Sequence, residues 1–98
     1  MNVFEAAKLE RKRQIDGEGF SAERDDQYVL GDLALAASAY ASHVSFQQRH
    51  ANVAKVSRPG VWPWADAWWK PSNDKKRNIV KAMALLAAEY ERLERLGQ

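Results

Sequence analysis

Residues 74–96 read DKKRNIVKAMALLAAEYERLERL, and this stretch decides the fold class. Asp74 is a good N-cap, neither glycine nor proline interrupts the run, and Gly97 follows at the place where a helix would stop. Ile79 or Val80, Met83, Leu86 or Ala87, Tyr90 and Leu93 recur every three or four residues. That is the period of an amphipathic helix, so this stripe is expected to face the core. Glu89, Glu91, Arg92, Glu94 and Arg95 fall on the other faces and read as surface charges.

Immediately upstream, residues 57–73 hold all four tryptophans and all three prolines. Proline fixes the backbone and removes a donor, so the segment reads as a stiff loop with one helical turn around Ala65 to Trp68. A loop of this length is unusual unless it packs or binds.

Further back, Val29, Leu33, Ala36 or Ala37, Tyr40 and Val44 mark the inward stripe of a second long helix. It is expected to end between Phe46 and Lys55, with Ser21 to Asp26 as the turn leading in and Asp25 or Asp26 as its cap. Ala34 to Ala41 is alanine-rich, which favours helix and close helix approach. A first helix is expected from Asn2, with Glu5 placed for a capping box and Phe4, Ala7 and Ile15 facing inward. Gly17 and Gly19 end it. The predicted fold is all-α, a single domain over 1–98. Its three helices form an antiparallel bundle in which the second and third lie side by side and the first crosses them. The alanine-rich face is expected to pair two copies into a four-helix core.

Composition narrows the function classes. Hydrophobic residues make up 46% and charged residues 29% of the 98, a globular balance. The chain has no cysteine, which excludes disulfides, thiolate metal sites and thiol catalysis. A net charge of +2 does not demand nucleic acid. Neither a basic start with an apolar run nor a membrane-length apolar stretch is visible, so a cytoplasmic protein without membrane contact is expected.

Two resemblances follow from particular motifs. Glu10-Arg11-Lys12-Arg13-Gln14, Glu18-Gly19-Phe20, Asp25-Asp26 and Gly31-Asp32-Leu33 through Ala37, with Trp62-Pro63-Trp64, Trp68-Trp69-Lys70-Pro71 and Lys81-Ala82 through Leu93, run across nearly the whole chain. This pattern resembles a domain of small phage and prophage proteins and implies a phage-derived accessory role. More distantly, the chain resembles the MazG-like all-α nucleoside triphosphate pyrophosphohydrolases. The resemblance implies Mg²⁺ held by paired carboxylates on two helices, because Mg²⁺ requires converging hard oxygen ligands. Here Val29 stands three residues before Asp32, and Asn78 and Lys81 occupy the corresponding pair on the last helix. Lysine cannot coordinate the cation, so the resemblance implies a dismantled hydrolytic site.

The tryptophan block supports three readings: a lid over the helices, a partner surface, or a stacking platform with Arg58 and Lys70 near phosphates. Adjacent Trp68 and Trp69 cannot both point inward, so one is expected to be partly exposed. Lys75-Lys76-Arg77 open the last helix where its dipole is already positive, and Lys8-Arg11-Lys12-Arg13 form a second basic cluster; either reads as solvated surface or as an anion site. Asp25, Asp26 and Asp32 are the only carboxylate cluster with a metal reading. At seven residues apart, Asp25 and Asp32 sit roughly 10 Å from each other on one helix, so a structural role is favoured, with Asp32 expected to pair with Lys81 or Arg77. His43 and His50 have the same separation and cannot share an ion. No serine elbow or phosphate-cradling glycine loop occurs.

The expected function is therefore that of a non-catalytic binder, without a cofactor, that occupies a host protein or sequesters an anionic, nucleotide-like ligand. The residues expected to carry it are Arg13, Trp64, Trp68, Trp69, Lys70, Arg77 and Lys81. A divergent Mg²⁺-dependent pyrophosphohydrolase using Asp25, Asp26 and Asp32 is the alternative, and nucleic-acid binding the third reading.

Overall fold

The structure, a computed structural model, describes residues 1–50 and 59–98. Four α-helices account for most of them: α1 (Val3–Glu18), α2 (Ala22–Asp25), α3 (Asp32–Arg49) and α4 (Lys75–Arg95), with one 3₁₀ turn at Asp66–Trp68. The described residues contain no strand, and none of their helices is long and apolar enough to cross a membrane. The possible extension of the second helix through Ala51–Lys55, and the expected role of Arg58, lie outside the described residues.

Helix boundaries follow local chemistry. The Asn2 side chain accepts from the Glu5 N–H at 2.9 Å, and its amide donates to the Glu5 carboxylate at 2.9 Å. Gly19 ends α1 in the left-handed region at φ 72°, which only glycine occupies without strain, and its N–H bonds back to the Gln14 carbonyl. Ser21 caps α2, and Asp74 caps α4 by accepting from the Lys76 N–H. The expected turn at Ser21–Asp26 is a short helix of its own, and α3 starts only at Asp32. Gly31 occupies its cap position at φ 82°, and neither Asp25 nor Asp26 caps it.

The core forms where α4 packs against α3, α1 and α2. Leu33, Ala36, Ala37, Ala39 and Tyr40 of α3 share one buried cluster with Ala82, Leu85 and Ala88 of α4. Small side chains on both helices let their backbones approach, and the larger Leu33 and Leu85 fill what remains. The alanine-rich face expected to join two copies is thus used inside the chain. The end of α3 is tied to the approach to α4 by polar bonds: the Asn78 amide donates to the Gln47 carbonyl oxygen at 3.0 Å and to the Ser72 carbonyl at 2.8 Å, while its own oxygen accepts from the Ser72 N–H.

Three expected faces are corrected. On α4 the buried positions are Asn78, Val80, Ala82, Ala84, Leu85, Ala88 and Arg92, while Ile79, Leu86 and Tyr90 are exposed. Val29 is exposed and precedes α3. On α1, Phe4, Leu9 and Ile15 face outward, and the buried side chains are Glu10 and Gln14. A helix that turns its polar residues inward and leaves its apolar ones in solvent needs partners for them in the interior. Those partners define the candidate site.

Candidate ligand cavity

Glu10 is 1% exposed and sits at the base of a cavity of about 270 Å³ between α1, α3, α4 and the tryptophan segment. Its carboxylate accepts from Arg13 through Nε at 2.8 Å and Nη2 at 2.7 Å, and from Gln14 Nε2 at 3.3 Å. Arg77, reaching across from α4, donates to Oε1, the oxygen that also accepts from Arg13 Nε. Burial pushes the Glu10 carboxyl up, but Arg13 and Arg77 together outweigh that and hold it below its ordinary value.

Aromatic rings build the opposite wall. Trp62 packs edge-on to Tyr40 with centroids 5.7 Å apart and lies 5.2 Å from Trp64, which in turn meets the Phe20 edge at 5.8 Å. Trp62, Trp64, Trp68, Phe20 and Tyr40 all line the cavity. Burial, the largest influence on the Tyr40 phenol, pushes it up to about 12, although its oxygen accepts from the Lys70 N–H at 3.3 Å.

Beside Arg13 and Arg77, Lys70 and Lys81 complete the cationic lining. Lys70 Nζ lies 3.8 Å from Glu18, which also meets Arg13 at 3.3 Å, and stands over the Trp68 ring at 5.4 Å. Lys81 has no carboxylate partner among the described residues. Its amine donates to the Lys70 carbonyl at 2.6 Å and lies 5.5 Å from the Tyr40 ring centroid. Burial, followed by the charges of Arg13 and Arg77, lowers its pKa despite the opposing pull of Glu10 and Glu18. Two buried polar atoms on the lining residues, Gln14 Oε1 and Trp64 Nε1, have no hydrogen-bond partner among the described residues.

Six of the seven residues expected from sequence, Arg13, Trp64, Trp68, Lys70, Arg77 and Lys81, therefore line one cavity. Trp69 does not. It is 5% exposed, against 44% for Trp68, and packs on Tyr40 at 4.7 Å, Trp62 at 5.1 Å and His43 at 5.5 Å. Its role is core, and the expected inequality between the two neighbouring indoles takes this form. Glu10, Gln14, Glu18, Phe20, Tyr40 and Trp62 belong to the cavity although sequence reasoning did not assign them to it. The sequence signal for Glu10 is its spacing: Arg13 and Gln14 follow at three and four residues, on the same side of a helix.

The basic clusters divide. Arg13 and Arg77 converge on Glu10, whereas Lys75 and Lys76 stay in solvent and Lys12 pairs with Asp16 at 2.6 Å. Arg11 bonds to Asp25, Glu91 and the Phe20 carbonyl.

The carboxylates of the metal reading are spread, and two of the three are engaged by arginine. Asp25, fully buried, receives Arg11 at 3.0 Å, and Asp26 receives Arg95 at 2.7 Å. Burial raises the Asp25 pKa more than the nearby arginines lower it. Asp32 opens α3, and Arg77 and Lys81, its expected partners, bond to Glu10 and the Lys70 carbonyl instead. Among the described residues no group of three or more histidine, aspartate or glutamate side chains could hold a metal ion. His43 is buried against Trp69 and Phe46, and burial lowers its pKa; His50 rests on the other side of Phe46.

Comparison with known proteins gives no match: no family model, no curated protein and no solved structure.

Proposed function

We propose that this chain is a non-catalytic, phage-accessory binding protein, an antiparallel three-helix bundle whose cavity holds a small anion carrying a planar ring. The observation that carries the reading is the joining of four cations and an indole-lined wall around one cavity, with Lys81 free of any carboxylate among the described residues. Stacking on indole is favourable for any flat π-system, and an ammonium ion in a partly desolvated cleft attracts phosphate or carboxylate. Gln14 Oε1 and Trp64 Nε1 add one acceptor and one donor that have no partner among the described residues, and these suit the polar edge of a heterocycle. A nucleoside monophosphate combines these features, and the cavity volume of about 270 Å³ lies near the lower end for small-molecule sites. A host protein would enter the same cleft through an acidic or aromatic side chain.

The hydrolytic reading has less support, since Asp25 and Asp26 already satisfy arginines. Isothermal titration with a nucleoside, inorganic phosphate and the nucleoside 5′-monophosphate tests the proposal. The monophosphate is expected to bind more tightly than either fragment, and Lys81→Met to weaken it about tenfold, the loss of one charge-assisted bond. Absence of binding refutes it. So does Mg²⁺-dependent pyrophosphate release from triphosphates that disappears in Asp32→Ala.

A further inference from the structure

Helix α4 carries two apolar faces. The alanine-rich one is spent on the core, but Ile79, Leu86 and Tyr90 form a second, exposed stripe together with Met83, which is half-buried beside α1. Leu86 is 51% and Tyr90 66% exposed. Their spacing of four, three and four is that of a coiled-coil seam, and at 3.6 residues per turn the four lie within about 60° of helix circumference. Shallow grooves toward α1 continue the face: Phe4 and Ala7 flank Met83 and Ala87 in one, and Val3 and Ala6 flank Ile79 in the other. An apolar strip of about three helical turns is more than the scattered exposed side chains of an ordinary surface.

Charges bordering the stripe indicate what covers it. Lys76 sits in the first turn of α4 and Glu94 in the last, both exposed and without an ion pair among the described residues. Each is at the wrong end of its own helix dipole, where it costs a few tenths of a kcal/mol to about one. They lie on the same side of the seam. When two copies of α4 run antiparallel about a twofold axis between Met83 and Leu86, Ile79 meets the second copy's Tyr90 and Met83 its Leu86. Lys76 then faces Glu94 of the second copy, and each misplaced charge gains an opposite neighbour.

We propose that α4 pairs antiparallel with α4 of a second copy of this chain through the Ile79–Met83–Leu86–Tyr90 seam. The contact is independent of the ligand cavity, which opens on another side of α4 through Arg77, Lys81 and Leu85.

Sedimentation equilibrium on the full chain tests it, with circular dichroism to check that each variant keeps its helix. The wild-type chain is expected to dimerise, and Leu86→Glu, which places a charge in the seam, to raise the dissociation constant by about a hundredfold or more. Leu30→Glu, also at an exposed position but off the seam, is expected to leave association unchanged. Lys76→Glu alone is expected to weaken the dimer, and the exchange Lys76→Glu with Glu94→Lys to restore it. A wild-type monomer at every concentration overturns the proposal and leaves the seam to a partner of another sequence. A dimer indifferent to Leu86→Glu, or charge exchange without rescue, overturns it as well.

Discussion

Replacing Glu10 by glutamine tests whether the buried carboxylate organises the cavity. Glutamine keeps the size and one carbonyl oxygen, but puts an NH₂ in place of the second oxygen, so Arg13 and Gln14 lose an acceptor and both guanidinium groups lose the negative charge between them. Removing one partner of a fully buried ion pair costs about 3–5 kcal/mol. Here the side chains of Arg13 and Arg77 are 44% and 39% exposed, so the freed cations reach water and the penalty is smaller. A loss of about 2 kcal/mol is expected, which lowers the melting temperature of a domain this size by roughly 8–16 °C. The Glu10 carboxyl is held below its ordinary 4.5 when folded. Its stabilisation is therefore complete above that value and is lost as pH falls through the lower, folded one. The gap between wild type and Glu10→Gln in thermal melts followed by circular dichroism should accordingly be widest near neutrality and close in acid. Melting points that coincide near pH 7, or a gap that stays constant into acid, would refute the reasoning.

Two further outcomes follow from the other buried groups. Asp25→Asn is expected to cost less than about 1 kcal/mol or to stabilise, because burial already disfavours the Asp25 carboxylate; urea melts of the two variants give the ranking. Its pH trend is opposite to that of Glu10: the raised folded value makes the wild type gain stability relative to Asp25→Asn as pH falls through that value toward the unfolded 3.8. In an ultraviolet titration of the tyrosines, one phenol should ionise only near about 12, and that step should vanish in Tyr40→Phe.

Much of the backbone was legible from single residues. Asn2 and Asp74 fulfil their cap roles because a side-chain oxygen beside unpaired helix N–H groups is a purely local arrangement. The 3₁₀ turn before Trp69 and the unequal exposure of Trp68 and Trp69 were likewise readable from proline positions and adjacency. The inner faces of α1 and α4 were not. Periodicity of large apolar residues points to whichever stripe is bulkier, but α4 packs through Ala82, Leu85 and Ala88 because α3 presents alanines in return. Nothing in α4 by itself encodes that choice. Glu10 and Gln14 are buried on α1 because Arg77, distant in sequence, arrives to satisfy Glu10, a long-range match that no local pattern carries. The candidate cavity was visible through its cations and indoles, whose composition is distinctive, and hidden in Tyr40, which reads as ordinary core, and in Phe20, whose position carries no site signal.

The backbone of Lys70 is held at both polar groups, its N–H by the Tyr40 hydroxyl of α3 and its carbonyl by the Lys81 amine of α4. One rim of the cleft is thus suspended from two helices at once, like a bridge deck from two towers. The width of the opening at that rim therefore follows the distance between those helices. Substitutions deep among the alanines of α3 and α4, far from any arriving molecule, would therefore retune which molecules pass by size.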